Sequence, residues 1–371
     1  MGLVQSSDLD RLRSPLTSWL RIRWAEAAAI SVTEIDVPGS AGFSNETLMV
    51  EATGQVAGRE QALRLVLRLQ QSGPGLFPSY QLDQQWDILE ALHQDGVVPV
   101  PRPLWREDDP GVLGAPFYAM ERVEGRAALD DPPYTASGWF IDLKPGDRTT
   151  VILNGLDTMA QVHATDLDRY GLSSLNRPGT GDPLDREISY YEQYYAWAAE
   201  GRRHPTIEGA LGWIHDHRPS DLEPRVLCWG DARPANLLVR DDLSVAAVLD
   251  WEMATLASPL LDLGWWLFMQ RHHTEGYGIP APHGLPDRGA TIGHYQRISG
   301  HDTTAIDFYE AFAALRGSII MLRLATMMIE GGILPDDADL LHNNPGSRIL
   351  AELTGQPPPT GVGLTGHVGR G

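Results

Sequence analysis

Apolar residues recur at helical spacing near the start of the chain. Leu9, Leu12, Leu16, Leu20 and Ile22 predict an amphipathic helix over residues 8–30. The rhythm then shortens. Ile30–Val37, Glu46–Ala52 and Leu63–Leu69 are short runs with strand-forming composition, separated by glycine-containing turns, and predict strands. A helix is expected at Tyr80–Gln94, where Leu82, Trp86, Leu89 and Leu92 share one face. Pro-rich Val98–Leu104 then leads to a strand at Pro116–Val123. From Thr149 onward the helical period dominates, with helices predicted at Val151–Thr165, Ile188–Glu200, Pro205–His217, Leu260–His273 and Ala305–Glu330. The order predicts an α+β fold with an N-terminal antiparallel sheet lobe and a larger helical C-terminal lobe. The expected divisions are an N-terminal helix at 1–30, a sheet lobe at 31–125, a helical lobe at 126–350 and a disordered tail at 351–371. The tail is placed there because Gly/Pro-rich sequence lacks the apolar groups needed to pack. No internal repeat is visible.

Composition narrows the function. The 371 residues carry 49 acidic and 29 basic side chains, a formal charge of −20. A phosphate backbone attracts basic faces, so nucleic acid is excluded as a partner. A cationic small molecule is compatible with the charge, which also serves solubility. The single Cys228 excludes an internal disulfide and a cysteine-based zinc site; its apolar flanks read as a small buried hydrophobe. No stretch reaches the roughly 18 apolar residues that span a bilayer, so no membrane is expected. Asp8, Asp10, Arg11 and Arg13 are unlike a signal peptide, and a cytoplasmic enzyme is expected. Nothing in the sequence reports an oligomeric state.

The chemistry is concentrated in Leu227-Cys-Trp-Gly-Asp231-Ala-Arg233-Pro-Ala-Asn236, followed by the apolar Val245–Leu249 and then Asp250-Trp-Glu252. Phosphoryl transfer from ATP needs a carboxylate for the proton of the attacking hydroxyl, with an amide oxygen and a second carboxylate to hold Mg²⁺ on the phosphates. The D-x-x-x-x-N spacing matches the catalytic loop of protein kinases, and Asp250 falls where their metal-binding Asp comes. A polar turn followed by a hairpin would use similar residues, but the apolar flanks and the completing D-W-E favour the kinase reading.

The segment resembles the aminoglycoside-phosphotransferase-like, or choline-kinase-like, small-molecule kinases, in particular an actinobacterial branch with a W-G-D-A-R-x-x-N loop. The likeness runs from about position 39 to about 330 and implies a protein-kinase-like two-lobe fold. It implies ATP and Mg²⁺ as cofactors and a small-molecule hydroxyl as acceptor. Asp231 becomes the catalytic Asp, Asn236 and Asp250 the metal ligands, and Glu252, Asp262 and Arg233 supporting residues. Trp229 stands where most relatives carry His, which removes a polar brace from the loop.

On the nucleotide side, small residues around Gly42, Ser44 and Asn45 sit between two predicted strands and would let backbone N–H groups approach phosphate; a plain hairpin turn would use the same residues. Arg68 in Leu65-Val-Leu-Arg68 takes the place of the kinase strand cation. Its expected helix partner is Gln85, which is neutral. Glu121 to Val123 corresponds to the adenine-binding linker, with Met120 lining it. His163 reads as a packed helix-end residue. Tyr191, Tyr194 and Tyr195 lie on one helix side with Trp197 nearby. Core packing is the simpler account, and Tyr194 and Trp197 are the candidates for substrate contact. Arg316 and Arg323, within an apolar helix, are expected to pair with buried carboxylates. Beside the small-molecule kinase, two alternatives stay open: a hydroxyacyl-CoA kinase and a non-catalytic nucleotide-binding pseudokinase.

Overall fold

The computed structural model describes residues 9–38, 46–71, 73, 75–175, 177–220 and 224–361. Gly42, Ser44 and Asn45, expected in a turn, lie outside them, as do residues 362–371 of the expected tail. The chain divides into two compact units, 1–94 with 100–123, and 95–99 with 124–371.

The first unit holds α1 (Leu9–Arg23), β1 (Ala27–Asp36), β2 (Glu46–Val56), β3 (Arg59–Leu69), α2 (Leu82–Asp95), β4 (Pro103–Glu107) and β5 (Phe117–Glu121). The strands form one antiparallel sheet in the order β1-β2-β3-β5-β4. β2 and β3 pair from Val56↔Arg59 to Glu46↔Leu69, joined by Ala57 and Gly58 at φ 50° and 76°. Positive φ at both loop residues is what a two-residue hairpin requires to match the strand twist. Alternation along β3 sends Leu65, Leu67 and Leu69 into a core with Leu16, Trp19 and Leu20 of α1. Arg68 therefore projects from the opposite face, where it is paired in register with Tyr118.

Two local expectations are corrected here. The first helix ends at Arg23 instead of reaching residue 30, because Ala27 and Ala28 pair with Val56 and Gln55. Alanine favours helix, but the free hydrogen-bonding edge of β2 outweighs propensity. β4 is an unexpected strand, since Pro103 suggested a loop; Pro is tolerated at the first residue of an edge strand.

The second unit is mainly helical: α3 (Trp139–Asp142), α4 (Pro145–His163), α5 (Pro183–Ala199), α6 (Pro205–Asp216), α7 (Leu260–His272), α8 (Arg288–Ser299), α9 (Ile306–Glu330) and α10 (Pro345–Thr354). Between α6 and α7 lie β6 (Val226–Cys228), β7 (Leu237–Val239), β8 (Val245–Val248) and β9 (Thr255–Ala257), paired as β6–β9 and β7–β8. α7 and α9 cross so closely at Gly264 that an added Cβ would lie 2.6 Å from the Tyr309 carbonyl. Contrary to expectation, α9 is long and apolar enough to cross a membrane, but 72% of its apolar window is buried, the setting of a core helix. α8 and α10 had no strong sequence signal. α10 starts with an Asn344–Ser347 capping box and carries residues 351–354 inside a helix, past the point where the tail was expected to begin. The α+β class, with an N-terminal antiparallel sheet and a larger helical region, is as the sequence predicts.

Candidate active site

β6 is buried at every position and leads directly into Trp229-Gly230-Asp231. Gly230 has φ 89°, and a Cβ there would sit 2.1 Å from the Met253 carbonyl oxygen. Only glycine satisfies both the left-handed backbone and the backbone approach. We expect Gly230→Ala to destabilise the protein by about 2–4 kcal/mol. Urea denaturation checks this: an unchanged midpoint would show that the turn relaxes freely.

Residues Pro234–Asn236 form one 3₁₀ turn that feeds β7. The β7–β8 pairing places Leu237 opposite Val248, and the Leu249 N–H donates to the Asn236 carbonyl at 2.9 Å. Asp250 thus enters beside Asn236, at φ 64°, a left-handed conformation that Asp tolerates better than most side chains. Asp250 and Glu252 are both half-buried.

Trp229 is fully buried, and its indole N–H donates to the Leu249 carbonyl at 2.7 Å. The loop therefore retains a polar brace despite the missing His, supplied by an indole that ties β6 to the segment before Asp250. A second brace comes from Asp262 in the first turn of α7. Its carboxylate accepts the backbone N–H of Trp229 at 2.6 Å and of Gly230 at 2.8 Å, and lies 2.9 Å from His163 Nε2. His163 Nδ1 is 2.6 Å from the Tyr295 hydroxyl. A neutral ring that donates through Nε2 and accepts the phenol proton at Nδ1 satisfies both contacts. His163 is thus a packed helix-end residue, as expected. Among the described residues His163, Cys228 and Asp262 bring ligand-type atoms within 4.8 Å of one another. Those atoms are spent on hydrogen bonds, including Cys228 Sγ to the Ser258 carbonyl at 3.2 Å, and burial pushes the Cys228 thiol well above its usual pKa. The group is a brace and not a metal centre.

Asp231 is buried, and both carboxylate oxygens are engaged. Arg233 Nε donates to Oδ1 at 2.9 Å and Oδ2 at 2.8 Å; Asn236 Nδ2 donates to Oδ2 at 2.7 Å and to the Asp231 carbonyl at 3.0 Å. The Trp265 indole, on α7, donates to Oδ1 at 2.7 Å. Trp265 is one helical turn beyond Asp262, so a single helix holds both the loop backbone and the Asp231 side chain. Arg316 lies behind them, fully buried, with Nη2 donating to the Gly230 carbonyl at 2.9 Å and its guanidinium 4.6 Å from the Trp265 ring centre. This corrects the expectation that Arg316 pairs with a carboxylate. Arg323 follows it, 3.4 Å from Glu200 and 3.6 Å from Glu330. Sequence reasoning missed Trp265, Asp130 and the loop contact of Arg316. The helical spacing from Asp262 was the one available signal, and it pointed only to Trp265.

Arg233 also reaches Asp130 through Nη1, and His273 Nε2 is 3.4 Å from the same carboxylate. Burial by itself weakens a guanidinium charge; the Asp130 and Asp231 carboxylates overcome this and raise the Arg233 pKa above its ordinary value.

The remaining predicted residues separate by unit. In the sheet unit, Arg68 Nη1 donates to Thr47 Oγ1 at 3.1 Å, and buried Gln85 accepts the Tyr118 hydroxyl at 3.4 Å. Glu121 ends β5 and pairs with Arg102 at 3.1 Å, while Val123 is the last residue of that unit. In the helical unit, Tyr194 is fully buried, its ring centre 6.0 Å from Tyr191 and 5.7 Å from Trp197, a packing position with no surface for a substrate. Trp197 is half-buried under Arg323, 4.7 Å from its ring.

Comparison with known proteins places this geometry in a family. The model for the phosphotransferase enzyme family, APH, matches residues 37–289. Acyl-CoA dehydrogenase family member 11 of Gallus gallus is 32% identical over 241 residues, which cover 64% of this chain and 28% of that protein. The chain therefore spans less than a third of that relative's length. A crystal structure from Ralstonia eutropha, provisionally named an aminoglycoside phosphotransferase, is 26% identical and superposes with a TM-score of 0.67 over 92% of this chain and 96% of that one. APH(2″)-IIIa, solved with GDP and kanamycin, shares the fold at 15% identity and a TM-score of 0.55, covering 92% of this chain and 98% of that one. The family match takes in well over half of the residues, from β2 through the Asp231 loop to the start of α8, and the chain belongs to the phosphotransferase enzyme family.

Proposed function

We propose that the protein transfers the γ-phosphoryl group of ATP to a hydroxyl of a small molecule, with Asp231 as the base. The observation that carries the reading is the placement of Asn236 against the Asp231 carboxylate, with Asp250 delivered beside it by the β7–β8 hairpin. Both Asn236 contacts to Asp231 use the amide nitrogen, which leaves its oxygen for a cation. An amide oxygen and a carboxylate suit Mg²⁺, a hard ion that takes oxygen ligands and keeps part of its coordination for phosphate. Asn236 and Asp250 would hold the ion, which when bound neutralises charge on the phosphates.

Asp231 orients the acceptor hydroxyl and takes its proton as the oxygen attacks phosphorus. Trp265 fixes the carboxylate rotamer, while Asp262 and Arg316 hold the backbone that carries it. On the sheet unit, Arg68 supplies a permanent cation for the nucleotide phosphates through its planar fork, and the Glu121–Val123 backbone receives the base. Glu252 and Arg233 support the loop.

A hydroxyacyl-CoA is the acceptor we favour within that class. The supporting observation is the 32% identity to a segment of a protein named as an acyl-CoA dehydrogenase family member. An aminoglycoside acceptor draws its support from the Ralstonia eutropha structure and from the formal charge of −20. Purified protein offered Mg·ATP with hydroxyacyl-CoAs, amino alcohols and aminoglycosides should give one phosphorylated product class, read by mass spectrometry as the gain of one phosphoryl group. Transfer to aminoglycosides alone would overturn the CoA assignment. Nucleotide binding with no transfer across the panel, and no hydrolysis above an Asp231→Asn control, would identify a pseudokinase.

A further inference from the structure

Three N–H donors make four contacts to the Asp231 carboxylate: the one Arg233 Nε–H is shared between both oxygens, Trp265 donates to Oδ1 and Asn236 to Oδ2. A hydroxyl that is to lose its proton to Asp231 competes with these donors, and above all with the positive charge of the Arg233 group that spans both oxygens. Trp265 is buried and stacked on Arg316, so its indole has no room to withdraw. Asn236 is fixed in the 3₁₀ turn, and its amide also bonds the Asp231 carbonyl. Arg233 alone has a second carboxylate within reach. Asp130 is already on Nη1, its side chain is 44% exposed, and the long arginine stem allows the fork to shift between the two acids.

We propose that Arg233 is a latch on the catalytic base, covering Asp231 until an acceptor hydroxyl displaces it onto Asp130. This rests on the kinase reading above and adds a function to it, the suppression of wasteful ATP hydrolysis. In that side reaction the water oxygen bonds to the γ-phosphorus while the bond to the ADP oxygen breaks, its electron pair leaving on ADP. The water proton passes to Asp231 and then to solvent. Water is too weak a competitor to move a guanidinium from a carboxylate. An acceptor bound through the rest of its surface can spend part of that binding on the displacement. Arg233 is a positioning residue in this scheme, and Asp130 is the site that receives it.

The test is Mg·ATP turnover with and without the best acceptor of the panel, for wild type, Arg233→Gln, Asp130→Asn and Asp231→Asn, with melting temperatures alongside. Arg233→Gln should hydrolyse ATP faster than wild type in the absence of acceptor. A rise on the order of tenfold is expected, a fraction of the roughly 10²–10⁴-fold that a general base supplies. Asp130→Asn removes the alternative partner, so Arg233 stays on Asp231. Hydrolysis should fall and the acceptor KM should rise, with the ATP KM unchanged. A structural defect lowers both reactions and cannot raise one. If Arg233→Gln loses transfer and hydrolysis in parallel, or raises the ATP KM, Arg233 is a phosphate contact and the latch is wrong. Should Arg233→Gln fail to fold, Asp130→Asn decides: equal losses with water and with acceptor, at an unchanged acceptor KM, overturn the proposal. Wild type with no turnover of any kind would sink the kinase reading itself, whereas wild-type turnover without the opposed changes sinks only the latch.

Discussion

Asp231→Asn is expected to abolish phosphoryl transfer while leaving nucleotide affinity nearly intact. The substitution is isosteric, but the amide keeps one acceptor oxygen, so only one of the Trp265 and Asn236 hydrogen bonds survives, and an amide cannot take the hydroxyl proton. A loss of roughly 10²–10⁴-fold in kcat is the usual size for a general base. The change also removes one of the two negative charges that hold Arg233, so the guanidinium should rest on Asp130 in the variant. Steady-state kinetics with nucleotide-binding calorimetry separate the effects. Retained turnover would show that Asp231 is not the base. Loss of nucleotide binding in step with kcat would mean that its role lies with the nucleotide.

Asp250→Ala is expected to abolish Mg²⁺-dependent ATP binding as well as activity, a broader failure than that of Asp231→Asn. Magnesium usually takes one or two carboxylates together with phosphate oxygens. Asp250 would supply the charged ligand and Asn236 only a neutral amide, so Asn236→Ala should be the milder change in metal dependence. Asn236→Ala also removes the hydrogen bond to Asp231, so its kcat should fall more than its Mg·ATP affinity. Calorimetry of Mg·ATP against both variants is the decisive measurement. Equal affinity in wild type and Asp250→Ala would remove Asp250 from the metal site. The left-handed backbone at Asp250 leaves alanine strained as well, so the binding loss should be checked against Asp250→Asn, which tolerates φ 64° and keeps one oxygen.

The loop geometry was legible because it is local. Asp231, Asn236 and Asp250 lie within one turn and one hairpin, and the apolar runs on either side fix which residues become β6, β7 and β8. A five-residue spacing and a strand period suffice to bring such groups together, since the intervening backbone has few ways to fold. The long helices were legible for the same reason: Leu82, Leu89 and Leu92 of α2 mark a face whatever that face packs against. The Ala-rich segment after Trp24 misled, because its intrinsic preference is helical and only the presence of β2 at Val56 and Gln55 makes it a strand.

What surrounds the candidate base could not be read from the chain. Trp265 lies 34 positions from Asp231, and Arg316 lies 86 from the Gly230 carbonyl that it holds. Arg316 looked like a partner for a buried acid; the close crossing of α7 and α9 at Gly264 decides that it meets a backbone carbonyl and an indole instead. Tyr194 shows the reverse case, an aromatic on a promising stripe that the packing of α5 closes off completely. The sequence determined which groups stand ready in the loop and in what order, because spacing and period act over a few residues. Which distant side chains clasp Asp231 and its loop was decided only in the tertiary structure, where α7 brings Trp265 to the carboxylate and α9 brings Arg316 to the Gly230 carbonyl.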